Sequence, residues 1–115
     1  MAWLACTLTW MQVDVVALQG VKNHWRARVA LRKLLGRLKK LTGARWRYKL
    51  DKCRGNTREH VGLLWNTKRV KGTKISVADS INPYKRACRS GQRPGLRGYF
   101  KARFGGRVDF HLLSV

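Results

Sequence analysis

The chain has 115 residues, which is enough for one domain with its own hydrophobic core and too few for two. Hydrophobic residues make up 44% of it and five residues are tryptophan, a composition that excludes a disordered basic tail. The formal net charge is +21, which favours a polyanionic partner, nucleic acid first and an anionic membrane surface second, over the plain alternative of a solvated basic surface.

The start of the chain and its cysteines bear on whether the protein is cytoplasmic or secreted. Residues 4–10 are apolar and uncharged, and we expect a strand or a frayed start there. This segment lacks the basic region and cleavage site of a signal peptide and is too short for a membrane span, so neither is expected. Cys6, Cys53 and Cys88 lack the spacing of a zinc site, and a disulfide between Cys53 and Cys88 stays open, as does the choice between a cytoplasmic and a secreted protein.

A strand and a helix are predicted next. Residues 13–18 form a short apolar run rich in β-branched residues, which is typical of a central buried strand. Between Asn23 and Thr42 apolar residues recur at spacings of three and four, so we expect a long amphipathic helix with cations on its other side. Asn23 is the expected N-cap and Gly43 the expected C-terminal stop.

The rest of the chain is predicted to be mainly β structure. Strands are expected at residues 46–50, 60–65 and 73–79, and a basic loop at residues 80–95. From Leu96 to Phe104 apolar residues alternate with a second set, Arg97, Tyr99, Lys101 and Arg103, which predicts one apolar and one basic face. Gly105-Gly106 is the expected hairpin turn before a last strand. One helix followed by mainly antiparallel strands predicts an α+β fold with a mixed sheet.

In order and spacing, these segments resemble the amino-terminal half of the endonuclease/exonuclease/phosphatase superfamily. The segments that carry the resemblance are DVVALQGV (14–21), the helix after it, WRYKL (46–50), REHVGLLWNTKRV (58–70), RPGLRGYFKARF (93–104) and VDFHLLSV (108–115). The resemblance implies half of a four-layer α/β sandwich, with residues 1–115 as a single partial domain whose residues 1–12 precede the matched region. It also implies cleavage of phosphodiester or phosphomonoester bonds with a divalent metal, usually magnesium.

At the family's functional positions, the resemblance implies a vacant metal site. Family members have Gln-Glu at the end of the first strand, with the glutamate as metal ligand, whereas Gln19 is followed here by Gly20, which has no oxygen to offer. The family's Trp-Asn pair is Trp10-Met11 in this sequence, and the catalytic histidine would follow Val115. The resemblance therefore implies a truncated chain that binds Mg²⁺ poorly and is inactive alone.

Glu59 and the histidines are the remaining candidate site residues. Glu59 matches a glutamate that orients a catalytic histidine in some deoxyribonucleases of the family, and the other interpretation is a surface acid among arginines. His24, His60 and His111 are interpreted as packed or surface residues, because none has a second metal ligand paired with it in the sequence.

The basic loop is the expected contact surface for nucleic acid, because loops at the sheet edge line the cleft of the family. The cations concerned are Lys85, Arg86, Arg89 and Arg93 within the loop and Arg97 at its exit. Binding there should be independent of sequence and should weaken steeply with salt.

A half sandwich is also expected to expose apolar sheet faces, which predicts self-association or a partner chain that covers them. The two sets concerned are Val61, Leu63 and Trp65, and Phe100, Ala102 and Phe104. Three functions stay open: an inactive, metal-ligand-deficient relative of these nucleases, a small basic nucleic-acid-binding protein, and a fragment that is active only when the other half complements it. The substrate class stays open among DNA, RNA and phospholipid.

Overall fold

The computed structural model describes residues 2–53, 59–78, 95–105 and 108–115. The elements along these residues are α1 (Ala2–Trp10), β1 (Val15–Lys22), α2 (Trp25–Thr42), β2 (Trp46–Leu50), β3 (Glu59–Asn66), β4 (Val70–Val77), β5 (Leu96–Ala102) and β6 (Asp109–Ser114). The strands form two three-stranded sheets with the orders β1-β3-β2 and β4-β5-β6. The α+β prediction is confirmed, but the predicted mixed sheet is wrong, because all four strand pairings of the described residues are antiparallel.

The first sheet is covered on both faces. The helices pack on one face, in a core whose buried residues are Ala5, Leu8, Leu34, Leu38, Trp46 and Leu64. The second sheet packs on the other, in a core whose buried residues are Val61, Leu63, Trp65, Val70, Leu96 and Phe100. The layer order is therefore helices, first sheet, second sheet.

The predicted exposure of the apolar sheet faces is wrong for four of the six residues concerned. Val61, Leu63, Trp65 and Phe100 are each at most 5% exposed, because this one chain supplies both sheets and their apolar faces cover each other. Phe104 is 60% exposed and lies beyond the end of β5. The structure therefore removes the reason for expecting a partner that covers these faces.

The amino-terminal segment forms helix α1 rather than the predicted strand or frayed start. The hydroxyl groups of Thr7 and Thr9 donate to the carbonyl oxygens of Trp3 and Ala5, four residues earlier. One side of α1 is buried against α2. The segment is apolar on nearly all sides, so its sequence shows neither the period of an amphipathic helix nor that of a half-buried strand. Packing therefore decides its conformation.

Helix α2 lies where a helix was predicted, and its C-terminal stop is the expected one. Gly43 is left-handed, with φ of 68°, and its N–H donates to the carbonyl of Lys39 at 2.9 Å. At the other end the N-cap is His24 rather than Asn23, since Nδ1 of His24 accepts from the backbone N–H of Arg26 at 3.1 Å. The side chain of Asn23 has another partner, described below.

Strand β1 differs from its prediction in position and in length. It is an edge strand, and β3, which is buried along nearly its whole length, is the central strand instead. β1 also continues past Gly20, where its pairing with β3 is irregular between Leu18 and Val21. Gly20 has φ of 65°, so it occupies a bulge inside the strand rather than a turn between strand and helix.

The alternation predicted for the later strands is present. Leu96, Gly98 and Phe100 are buried, whereas Arg97 and Lys101 are exposed. β4 begins three residues earlier than expected, because its pairing with β5 continues to the end of that strand. Within the predicted hairpin turn, Gly106 lies outside the described residues.

Replacing Gly20 with alanine should lower the free energy of unfolding by about 1 kcal/mol, because an L side chain disfavours positive φ. Crowding does not add to this cost, since the nearest atom to a Cβ there is Glu59 Oε2 at 3.8 Å. The matched control is Gly36→Ala inside α2, where a Cβ meets nothing within 4 Å and should stabilise by up to about 1 kcal/mol. Urea unfolding measures both, and a change of the same sign in the two variants would contradict the backbone explanation.

Candidate functional site

Two of the predicted site residues lie side by side. Gly20 and Glu59 are in neighbouring strands, and a Cβ at Gly20 would lie 3.8 Å from Glu59 Oε2. Glu59 Oε1 accepts a hydrogen bond from Lys22 Nζ at 2.9 Å, so this carboxylate is held in an ion pair. Gln19, the residue before Gly20, is exposed on β1. The position that the resemblance marks as vacant is therefore an exposed strand bulge beside an ion-paired acid.

His60 lies at the centre of a buried polar network that sequence reasoning missed. Its Nδ1 lies 2.9 Å from Asp51 Oδ1, and its Nε2 lies 3.0 Å from Asn23 Oδ1. The carboxylate of Asp51 also accepts the backbone N–H groups of Cys53 and Val61, at 3.0 and 2.9 Å. The His60 residue is 1% exposed, and the network ties together the end of β2, the start of β3 and the link before α2.

One signal could have pointed to this network. Asp51 is among only five acids in the chain, and it directly follows a predicted strand. Its partner His60 opens the next strand, nine residues later, and only the antiparallel pairing of β2 with β3 brings the two together. Beside them, Cys53 forms a disulfide whose partner lies outside the described residues, whereas Cys6 is free and exposed.

Asp51→Asn should lower the free energy of unfolding by about 2–3 kcal/mol, because an amide cannot accept all three hydrogen bonds and leaves a buried donor unpaired. Asp109→Asn is the control, since Asp109 is exposed and its replacement should change stability by no more than about 0.5 kcal/mol. Thermal and urea unfolding of both variants measure the difference. Equal stability of the two would show that the network contributes little.

The outer face of the second sheet presents cations and aromatic rings. The strand pairing places Lys71, Thr73, Arg97, Tyr99, Lys101, Asp109 and His111 on this side. We call these seven residues the basic sheet face. Neither of the described helices packs on it, because both contribute to the core on the far side of the first sheet.

Tyr99 lies in the middle of the basic sheet face. Its ring centroid is 4.9 Å from that of His111, with the rings inclined by 41°, and Lys101 Nζ lies 5.7 Å from the Tyr99 centroid. The Tyr99 hydroxyl donates to the Asp109 carboxylate. This hydrogen bond raises the pKa of Tyr99 above its usual value of 10.0, so the ring stays neutral and the carboxylate is engaged.

Of the five cations predicted to contact nucleic acid, Arg97 is the one in the described part of the chain. It lies exposed on β5, within the basic sheet face. Lys85, Arg86, Arg89 and Arg93 lie outside the described residues. The structure thus places Arg97 beside Tyr99 and Lys101, a stripe visible in the sequence alternation, and the wider loop stays a prediction.

The described part of the chain holds neither a cluster of metal ligands nor a helix that could span a membrane. Among residues 2–53, 59–78, 95–105 and 108–115, no three His, Cys, Asp or Glu side chains come together to hold a metal ion. Neither helix of this part has the length and apolar character needed to cross a bilayer. The magnesium site stays a prediction.

Comparisons with protein-family models, curated proteins and solved structures found no match. Membership of the endonuclease/exonuclease/phosphatase superfamily therefore stays a prediction that depends on the segments quoted above.

Proposed function

We propose that this chain binds nucleic acid without sequence specificity and that the basic sheet face is its contact surface. The observation that carries the proposal is an open sheet face that presents three cations and a neighbouring pair of aromatic rings. Cations on such a face attract phosphate groups and release the counterions condensed on the nucleic acid, which favours binding whatever the base sequence.

The charges of this face are available to an external anion. Lys71, Arg97 and Lys101 form no ion pair with any carboxylate of the described residues. Asp109 is the one acid of the face, and it accepts the hydroxyl of Tyr99. A polyanion would therefore meet cations without first displacing an internal partner.

The two rings favour single strands over duplexes. Tyr99 and His111 lie next to each other in the strand pairing, so their rings form a neighbouring pair on the sheet surface. Unpaired bases stack on such rings whatever their sequence, whereas the bases of a duplex are stacked on one another and out of reach. Lys101 lies close enough to Tyr99 to bind a phosphate that flanks a stacked base.

The double variant Arg97→Ala/Lys101→Ala should weaken binding of a fluorescein-labelled single strand and make it less dependent on salt. The slope of log Kd against log salt should fall by about 1.4, because each lost phosphate contact removes about 0.7 for a single strand. Fluorescence anisotropy at several salt concentrations measures both quantities.

The matched control is Arg32→Ala/Arg37→Ala on the exposed side of α2, which removes the same charge from the opposite side of the molecule. This variant should keep most of the affinity and the slope. If both double variants lose affinity equally, the cations act only as a diffuse basic surface and the proposed contact face is wrong.

As a second candidate we propose descent from a metal-dependent phosphodiesterase of the endonuclease/exonuclease/phosphatase superfamily. On this view the two packed sheets, with a long amphipathic helix on one side, are half of a four-layer sandwich. Its support is the position of Gly20 beside Glu59, where the resemblance expects a metal ligand. Glycine offers no oxygen there, and Glu59 is already paired with Lys22, so Mg²⁺ would find a poor site.

The purified chain should therefore not nick supercoiled plasmid in the presence of MgCl₂. Gly20→Glu should also stay inactive, because one added carboxylate does not supply the base that activates water. Agarose gels with and without EDTA test both proteins. Nicking that requires magnesium and that EDTA abolishes would refute the vacant metal site and restore an enzymatic function.

A further inference from the structure

A pocket of about 300 Å³ opens at the edge where the two sheets meet. It lies between β2, an edge strand of the first sheet, and β4, an edge strand of the second. Four of its lining residues are cations, namely Arg45, Arg47, Lys71 and Arg103, and none is acidic. None of the four forms an ion pair with a carboxylate of the described residues.

The wall of this pocket is held in place by hydrogen bonds. The backbone N–H and the hydroxyl of Thr67 both donate to the carbonyl of Arg45, at 3.0 and 2.6 Å. Arg103 Nε donates to the carbonyl of Thr67 at 2.8 Å, and its backbone N–H donates to the carbonyl of Arg69 at 2.9 Å. The Arg103 guanidinium is thereby oriented while its two terminal nitrogens keep their donors for a ligand.

Trp65 contributes a further donor. It is 5% exposed, and its indole N–H has no hydrogen-bond partner among the described residues. Gly72 lies against the edge of the ring that carries this group, since a Cβ at Gly72 would be 3.1 Å from Nε1. An indole N–H is a donor only, so it can pair with an oxygen atom of a ligand in the pocket.

We propose that this pocket binds a phosphate group and that it receives a backbone phosphate when the chain is bound to nucleic acid, the latter resting on the proposed function. Guanidinium groups and an indole N–H are donors only, and together they match the oxygens of a phosphate. Lys71 lines the pocket and pairs with Lys101 across β4 and β5, so the pocket adjoins the basic sheet face. One strand of nucleic acid can therefore contact both the pocket and the basic sheet face.

The test uses the full chain labelled with 5-fluorotryptophan, whose ¹⁹F spectrum is followed while inorganic phosphate is added. The Trp65 resonance, assigned with Trp65→Phe, should shift and saturate. Trp46 serves as an internal reference, because it is buried in the helix-side core. Sodium chloride at the same ionic strength should not reproduce the shift.

Arg47→Ala and Arg103→Ala should each weaken phosphate binding by about tenfold or more, the loss expected for one charge-assisted hydrogen bond. Arg37→Ala, on α2, should leave it unchanged. Two results would overturn the proposed phosphate site. One is a Trp65 resonance that responds equally to chloride, and the other is arginine variants that fold and bind phosphate as tightly as the unmodified chain.

Anisotropy with a labelled single strand, run in parallel, separates this proposal from the proposed function. If the chain still binds the labelled single strand but shows no saturable response to phosphate, the phosphate site alone is wrong. A saturable phosphate response without strand binding would support the site and overturn the nucleic-acid function.

Discussion

The rest of the structure depends on the burial of β3 on both faces. Val61, Leu63 and Trp65 face the second sheet, whereas Leu64 between them faces the helices. A strand in this position has no access to water, so its backbone groups must be paired on both sides, by β1 and β2. Close packing also leaves no room for a side chain at Gly98, where a Cβ would lie 2.7 Å from Leu63 Cδ1.

This arrangement decides which surfaces are left for binding. The apolar sides of both sheets meet each other, so the open side of the second sheet carries the alternate, polar residues of β5. That side therefore presents the cations Arg97 and Lys101 and the ring of Tyr99. Trp65 belongs both to the inter-sheet core and to the lining of the basic pocket. Its ring centroid lies 5.7 Å from that of Phe100, and the residue also lines the pocket.

Several elements could be predicted because their signals are local. The spacing of apolar residues in α2, Gly43 at its end and the alternation along β5 depend on neighbouring residues alone. The conformation of α1 could not be predicted, since an evenly apolar segment is compatible with strand and helix and only contact with α2 distinguishes them. The position of β1 at the edge of the sheet could not be predicted either, because periodicity does not show which strands pair.

From the chain alone, without its fold, one could establish the net charge of +21, the α+β class and a basic stripe through Arg97 and Lys101. Only the fold brings Asp51 into contact with His60, Gly20 next to Glu59, and four cations from three separate segments around one pocket. The physical reason is that propensity and periodicity act over a few residues, whereas these contacts depend on strand order and register, which the packing of the two cores on β3 decides.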